Sequence, residues 1–347
     1  MSKKEGEFST LINEKRGTRF RREIRDFFPL SSKDREILYN LSLNSRMNFT
    51  HLAELSGLSK QVVSYRIKQM ENRGVIRGYQ AIPNVALLGK THYRVFIKYG
   101  SLDDATEMKL VERLQTIPEV SWLTLLSGDF DLEFVVWADN VLAFERVYDG
   151  IMAEFGGHFH EKYFSLGTRV EYLPLRFLRE KESPAPSMIF GGDFDRRELR
   201  PWEKSLLLHL NRNGRLSYRE LAKMCSLSEK AVKEGIETLT ESGILLGFGI
   251  KINPGLIGYT YRKVFLQLSD PSPKTVELLA ETLRKEKSVL FLVKTIGPYD
   301  FEFELLTEND DEFRHFMRRF RAKFSQKLKA FQTVTSYDEL KFGELSF

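Results

Sequence analysis

The chain has 347 residues, 42% of them hydrophobic, with 53 Lys and Arg against 48 Asp and Glu and a net charge of +5. That length predicts two or more domains, and the lone cysteine, Cys225, excludes an intrachain disulfide framework and fits a reducing compartment. No stretch approaches the roughly 18 apolar residues of a membrane span, and the N-terminus lacks the apolar core of a signal peptide, so the expectation is a soluble cytoplasmic protein with no membrane association.

Residues 1–29 form a basic N-terminal arm whose segment 15–25 holds Lys15, Arg16, Arg19, Arg21, Arg22 and Arg25, with Glu23 inside it and Glu14 just outside. A polyanionic partner and a solvated terminus are equally open readings of it. Ile37, Leu38 and Leu41 then mark one face of a first helix, with Ser31 or Ser32 as its N-cap. A polar break at Asn44-Ser45-Arg46 precedes a short helix with Leu52, Ala53 and Leu55, whose expected cap is Thr50. After the turn Ser56-Gly57-Leu58, Ser59 opens a third helix carrying Val62, Val63, Ile67 and Met70, which Gly74 stops. Residues 75–82 read as a strand pair, so 30–88 is predicted to be a winged helix-turn-helix. In 89–178 the pattern changes to strand, helix, two strands, helix and strand, the βαββαβ order of a ferredoxin-like sandwich. Residues 179–199, with Pro184, Pro186, Gly191 and Gly192, have linker composition.

The chain then repeats itself. Shifted by 169 positions, residues 37–99 align without a gap onto 206–268, sharing Leu38/Leu207, Arg46/Arg215, Leu52-Ala53/Leu221-Ala222, Gly74/Gly243 and Val95-Phe96/Val264-Phe265 among others. The predicted class is α+β: two tandem units, the second a winged helix-turn-helix at 200–257 and a ferredoxin-like domain at 258–347.

The ordered set Asp34-Arg35-Glu36-Ile37-Leu38, Asn44-Ser45-Arg46, Leu52-Ala53, Gly57-Leu58-Ser59, Arg66-Ile67 and Gly74 to Tyr79 resembles the Lrp/AsnC family of feast/famine regulators. Gly128-Asp129-Phe130-Asp131 and Gly297-Pro298-Tyr299-Asp300 are similar to that family's Gly-x-Tyr-Asp turn. The resemblance implies a double-stranded DNA partner, ferredoxin-like ligand-sensing domains that pair sheet against sheet, an amino-acid effector near those turns, and a homodimer or higher homo-oligomer. It implies a transcription regulator and not an enzyme, with no cofactor.

The two units differ where DNA would be read. Recognition helices need cationic and hydrogen-bonding side chains on the exposed face, because phosphates supply much of the affinity and base edges the specificity. Residues 59–73 offer Lys60, Arg66, Lys68 and Arg73 against Glu71, with Ser59, Gln61, Ser64 and Tyr65 between them. Arg46 and His51 precede the helix, and Arg77 sits on the expected wing, where the resemblance implies backbone contacts. Residues 228–242 instead hold Glu229, Glu234, Glu237 and Glu241 against Lys230 and Lys233, and Gly235 interrupts the helix. The second recognition helix is therefore expected to be degenerate.

The turn residues Gly128, Asp129, Asp131, Gly297 and Asp300 are candidates for effector binding, or simply for shaping the turns. His158 and His160 project to one side of an extended run, yet no third ligand stands at metal spacing, so no metal site is expected. Cys225 reads as a small buried residue. The alternative function is a siroheme decarboxylase-like tetrapyrrole enzyme, since such enzymes resemble this family; His92, Arg94, His158 and His160 are the positions it would use.

Overall fold

A computed structural model describes residues 27–179, 187–192 and 196–347; the basic segment 15–25 and the linker residues Pro184 and Pro186 lie outside these. The first three helices are α1 (Ser32–Leu43), α2 (Phe49–Ser56) and α3 (Lys60–Asn72). Ser31 and Asp34 form a capping box at α1. The cap of α2 is Asn48, accepting from the His51 N–H, rather than Thr50, because the helix begins at Phe49. Gly57 adopts the left-handed conformation (φ 63°) in the turn between α2 and α3. Val63, Ile67 and Met70 turn inward at helical spacing.

The expected wing hairpin is absent. Residues Ile76–Pro83 form one strand, β1, whose antiparallel partner is β7 (Leu245–Ile252) of the second unit. Ile82 lies opposite Gly247 and Ala81 opposite Phe248. Two half-wings thus make one ribbon between the helix-turn-helix motifs, the second being α6 (Pro201–Arg212), α7 (Tyr218–Cys225) and α8 (Glu229–Glu241).

The remaining elements are β2 (Thr91–Tyr99), α4 (Asp104–Thr116), β3 (Val120–Gly128), β4 (Leu132–Ala138), α5 (Val141–Phe155) and β5 (Phe159–Tyr172), then β8 (Thr260–Leu268), α9 (Pro273–Leu283), β9 (Val289–Ile296), β10 (Phe301–Thr307), α10 (Asp310–Phe324) and β11 (Leu328–Phe342). Each βαββαβ set has the antiparallel order last-first-third-second, and the two sets join edge to edge through β11–β3 and β5–β9. With β2 also paired to β5, the strands close into one barrel, β2-β4-β3-β11-β8-β10-β9-β5. Closure leaves the long strands without a lateral edge over most of their length. The linker departs from expectation too: Met188–Gly191 is a strand, β6, on β5, and a Cβ on Gly191 (φ 96°) would come within 2.5 Å of the Thr168 carbonyl oxygen.

The units are interlocked rather than consecutive. The core of the first helix-turn-helix is completed by Ile250, Tyr259, Leu290 and Leu306 of the second unit. That of the second is completed by Ala81, Val85, Val135 and Trp137 of the first. Outside the barrel, α4 and α5 cover one apolar face through Leu110, Leu114, Phe144 and Ile151, and α9 and α10 cover the other through Leu279, Leu283, Phe316 and Phe320. Inside, Phe96, Phe130, Phe265 and Tyr299 pack ring on ring, two from each unit at equivalent positions, with Phe96 and Phe265 centroids 5.2 Å apart.

Candidate nucleic-acid interface

Because Val63, Ile67 and Met70 anchor α3, the opposite face must carry Lys60, Gln61, Tyr65 and Lys68, and all four are exposed; Ser64 is half-buried beside them. Tyr65 is 64% exposed and accepts a hydrogen bond from Gln69 Nε2 at 3.3 Å. Ser59 caps the helix through the Val62 N–H. On α2, exposed His51 lies 3.3 Å from Glu54. Lys60, Gln61, Ser64, Tyr65 and Lys68 thus share one polar, cationic face of α3.

Three arginines expected on that surface are engaged within the protein. Arg66 donates to Asp34 at 2.9 Å and to Ser31 Oγ at 3.1 Å, bracing α3 against the cap of α1. Arg77 donates to the Glu339 carbonyl at 2.9 Å, pairs with Asp338 at 3.3 Å and stacks on Phe342, which ties the β1–β7 ribbon to the end of β11. Arg46 donates to the carbonyls of Gly214 and Leu216 at 2.7 and 2.8 Å and lies over Tyr218 and Phe248. Its repeat-mate Arg215 does the reverse, donating to the Ser45 carbonyl at 2.7 Å and lying over Phe49 and Tyr79. The identity at 46 and 215 therefore reflects a reciprocal clasp between the two motifs.

On α8 the equivalent face is exposed as well, but it carries Glu229, Glu234, Glu237 and Glu241, with Lys230 and Lys233 pairing along the helix to Glu234 and Glu237 at 3.7 and 3.8 Å. Gly235, at the position of Arg66, is buried: a Cβ there would lie 2.8 Å from Trp202 and 3.0 Å from Leu206. Trp202 occupies the space that an arginine brace fills in the first unit.

The two Gly-x-aromatic-Asp turns share the same backbone brace, and the first has a lysine contact besides. Asp131 accepts from the Tyr99 N–H at 2.8 Å and from Lys98 at 3.0 Å, and Asp300 accepts from the Leu268 N–H at 2.7 Å. Gly128 (φ 129°) and Gly297 (φ 151°) abut the last strand of the opposite unit; a Cβ on either would sit 3.0 Å from a carbonyl oxygen, of Thr333 or Phe164. Asp129 is exposed. These glycines are explained by the seams that close the barrel.

A polar cluster that periodicity did not single out lies inside the barrel. Arg94 is 2.7 Å from Glu133 and 2.8 Å from Glu302, while Lys263 pairs with Glu133 and, at 3.1 Å, with Glu304. All five are buried. Burial pushes Glu302 up to about 7 despite Arg94, and pushes Glu339 up to about 7 as well. Glu304 is held below the usual carboxylate range because Lys263 and Arg94 outweigh its desolvation. The signal was present in the repeat, where Arg94/Lys263 and Glu133/Glu302 are equivalent positions on strands otherwise apolar on alternate residues. His92, its pKa lowered by burial, accepts from Trp137 Nε1 at 3.0 Å. His158, near Ser101 O at 2.9 Å, and exposed His160 stand by the other end of the same strand pair, since His92 is opposite Gly167 and Tyr99 opposite Phe159. At about 3.3 Å per residue that separation exceeds roughly 20 Å, so the four positions do not converge.

Two helix-turn-helix motifs, one with a cationic exposed third helix, define a DNA-binding protein class. A winged helix-turn-helix DNA-binding family model matches residues 30–77 and 203–245. The chain is 34% identical over 122 residues to the proline dehydrogenase transcriptional activator of Rhodobacter capsulatus, covering 34% of this chain and 77% of that protein. It is 33% identical over 113 residues to the HTH-type transcriptional regulator LrpA of Pyrococcus abyssi, covering 32% and 77%. The chain belongs to the Lrp/AsnC family of HTH-type transcriptional regulators. Over nearly its whole length it is similar in fold to a crystal structure of the siroheme decarboxylase NirDL, with a TM-score of 0.59, 15% identity and coverage of 91% of this chain and 95% of that one. Among the described residues no helix is long and apolar enough to cross a membrane.

Proposed function

We propose that the protein is a sequence-specific regulator that reads duplex DNA through α3 alone, with one reader per chain. The observation that carries this is the contrast between two equally exposed helices held by one clasp: α3 presents Lys60, Gln61, Ser64, Tyr65 and Lys68, and α8 presents four glutamates. Like charge opposite phosphate is unfavourable, so α8 contributes nothing attractive to a groove. The strands of the two units pair with each other within one chain, so a palindromic operator requires two chains, each supplying one α3. His51 and the cap at Ser59 support the reading face; Arg46, Arg66 and Arg77 support the scaffold behind it. The aspartates of the two turns already accept backbone or lysine donors, and effector binding there forms no part of the proposal.

The test is selection of duplexes from a random pool by the full-length chain, followed by salt titration of the winning sequence. A motif should emerge, and K60A/K68A should abolish selection and shallow the salt dependence by about two phosphate contacts' worth of slope. If no motif emerges, or if K60A/K68A binds as tightly as the parent, the reading fails. The whole-chain fold likeness to NirDL favours one other reading, a tetrapyrrole enzyme. It expects a tight, shifted Soret band on adding siroheme, lost on His92→Ala.

A further inference from the structure

The second unit has exchanged charge at two places, not one. Its reading helix α8 has become acidic, and its outer helix α10 with the start of β11 has become basic. Residues 310–331 contain seven Lys and Arg against three Asp and Glu, whereas the equivalent 141–162 contain two against four. The last turns of α10 and the first residues of β11 enclose an open groove of about 680 Å³, into which Arg318, Arg321 and Lys329 bring charge and Ala322, Leu328 and Phe331 an apolar floor. Among the described residues no carboxylate lines it. Arg321 lies over the Phe331 ring at 5.5 Å, and Arg318 and Lys329 are exposed.

The groove and α8 are at opposite ends of the molecule. The end of β11 lies under the β1–β7 ribbon, where Arg77 and Lys251 stack on Phe342, and the groove is at its beginning. From Phe331 to Phe342 a strand spans roughly 35 Å. The acidic helix therefore cannot reach the basic groove of its own chain. A duplex seated on α3, also at the ribbon end, would have to bend around the barrel to reach it.

We propose that the groove formed by α10 and β11 receives α8 of a second copy of this chain, Arg318, Arg321 and Lys329 facing Glu234, Glu237 and Glu241 in a head-to-tail contact. One contact accounts for both charge exchanges, and it stands whether or not α3 reads DNA. In this head-to-tail arrangement each chain uses its two ends on different neighbours, so the contact is heterologous and propagates into rings or chains larger than a dimer. Its strength is mostly electrostatic, so it weakens as salt shortens the screening length.

The experiment is sedimentation velocity on the full-length chain and two charge-reversal variants, R318E/R321E and E234K/E237K, at about 0.05 M and about 0.5 M salt. Wild type should form species beyond the dimer at low salt that dissociate at high salt. Each variant alone opposes like charges at both ends and should associate at least about tenfold more weakly. Mixed one to one, the variants present an acidic groove to a basic helix and the reverse, and association should return. All the altered positions are exposed, and unchanged thermal midpoints serve as the folding control. Wild-type self-association unaffected by either variant, a mixture that fails to reassemble, or a wild type that stays monomeric at low salt would each overturn the proposal. So would a result in which R318E/R321E weakens binding to long DNA while leaving self-association intact, which would make the groove a nucleic-acid surface.

Discussion

Replacing Arg46 by alanine distinguishes a DNA contact from a structural clasp, because the two roles move different observables. The Arg46 guanidinium donates to two backbone carbonyl oxygens, of Gly214 at 2.7 Å and Leu216 at 2.8 Å, and stacks on two rings at 5.1 and 5.3 Å. Hydrogen bonds from a charged donor contribute about 1.5–3 kcal/mol each and a partly exposed cation–π contact about 0.5–1 kcal/mol. Water compensates part of the loss at a half-buried site, so the net cost should be about 3 kcal/mol. Arg215, with one carbonyl at 2.7 Å, should cost about 2 kcal/mol on the same grounds. Urea unfolding of the wild type, R46A, R215A and the double variant would measure both, with Arg46→Lys as a control that keeps charge but loses the two-pronged geometry and should recover little. In DNA titrations R46A should leave the dependence of affinity on salt unchanged, since no phosphate contact is removed. An unfolding free energy within about 0.5 kcal/mol of wild type, together with a salt slope reduced by about one contact, would refute the clasp and return Arg46 to the DNA surface.

Gly235→Ala sets two effects against each other: helix propensity favours alanine by about 1 kcal/mol, whereas the new Cβ would lie 2.8 Å from Trp202. Overpacking costs about 1–3 kcal/mol, so the variant should be destabilised in urea, and the same change should cost less in a W202A background than in the parent. Gly297→Ala should destabilise by about 2 kcal/mol, because its φ of 151° and the Phe164 carbonyl at 3.0 Å both oppose a side chain; a thermal melt measures it, and an unchanged midpoint would mean the seam yields. The carboxyl of Glu302 is raised to about 7 in the folded chain, so the native state holds its proton more tightly than the unfolded one. That stability is present in full below the unfolded value and is lost as pH rises through about 7. Glu302→Gln should therefore flatten the decline in unfolding free energy between about pH 5 and pH 8, and an unaltered pH profile would show that Glu302 does not titrate there.

Local rules were legible in the sequence to the extent that local chemistry determines structure. Ser59, Gly57 and Gly74 mark caps and turns because few other residues satisfy those backbone positions, and the spacing of Val63, Ile67 and Met70 fixes which face of α3 is free. The wing failed for a nonlocal reason. Residues 75–82 have strand chemistry, but a strand's partner is not written in its own sequence, and here it lies about 170 residues away. Arg46, Arg66 and Arg77 failed in the same way: a guanidinium near a helix-turn-helix serves phosphate or carbonyl equally well, and only the fold shows that carbonyls and carboxylates are within reach. Gly235 looked like a defect until Trp202, thirty-three positions earlier, was found to fill its place.

Duplication within one chain changes what each copy must conserve. In a symmetric pair of identical subunits, a substitution on the reading helix appears on both readers. Here Arg46 and Arg215, Phe96 and Phe265, and Arg94 and Lys263 hold the same pseudo-symmetric contacts across the two units, so the scaffold is pinned at both copies. The exposed faces carry no such constraint, because a change on α8 leaves α3 intact. This predicts where the halves diverge: identities should sit at the clasp, the seams and the barrel interior, and charge should differ on the outward faces. The 169-residue alignment follows that division, with Arg46, Gly128 and Phe96 retained while Lys60, Tyr65 and Lys68 become Glu229, Glu234 and Glu237. Covalent fusion thereby lets one frame hold a cationic surface and an acidic one at equivalent positions of its two units, which no homodimer of identical chains can do.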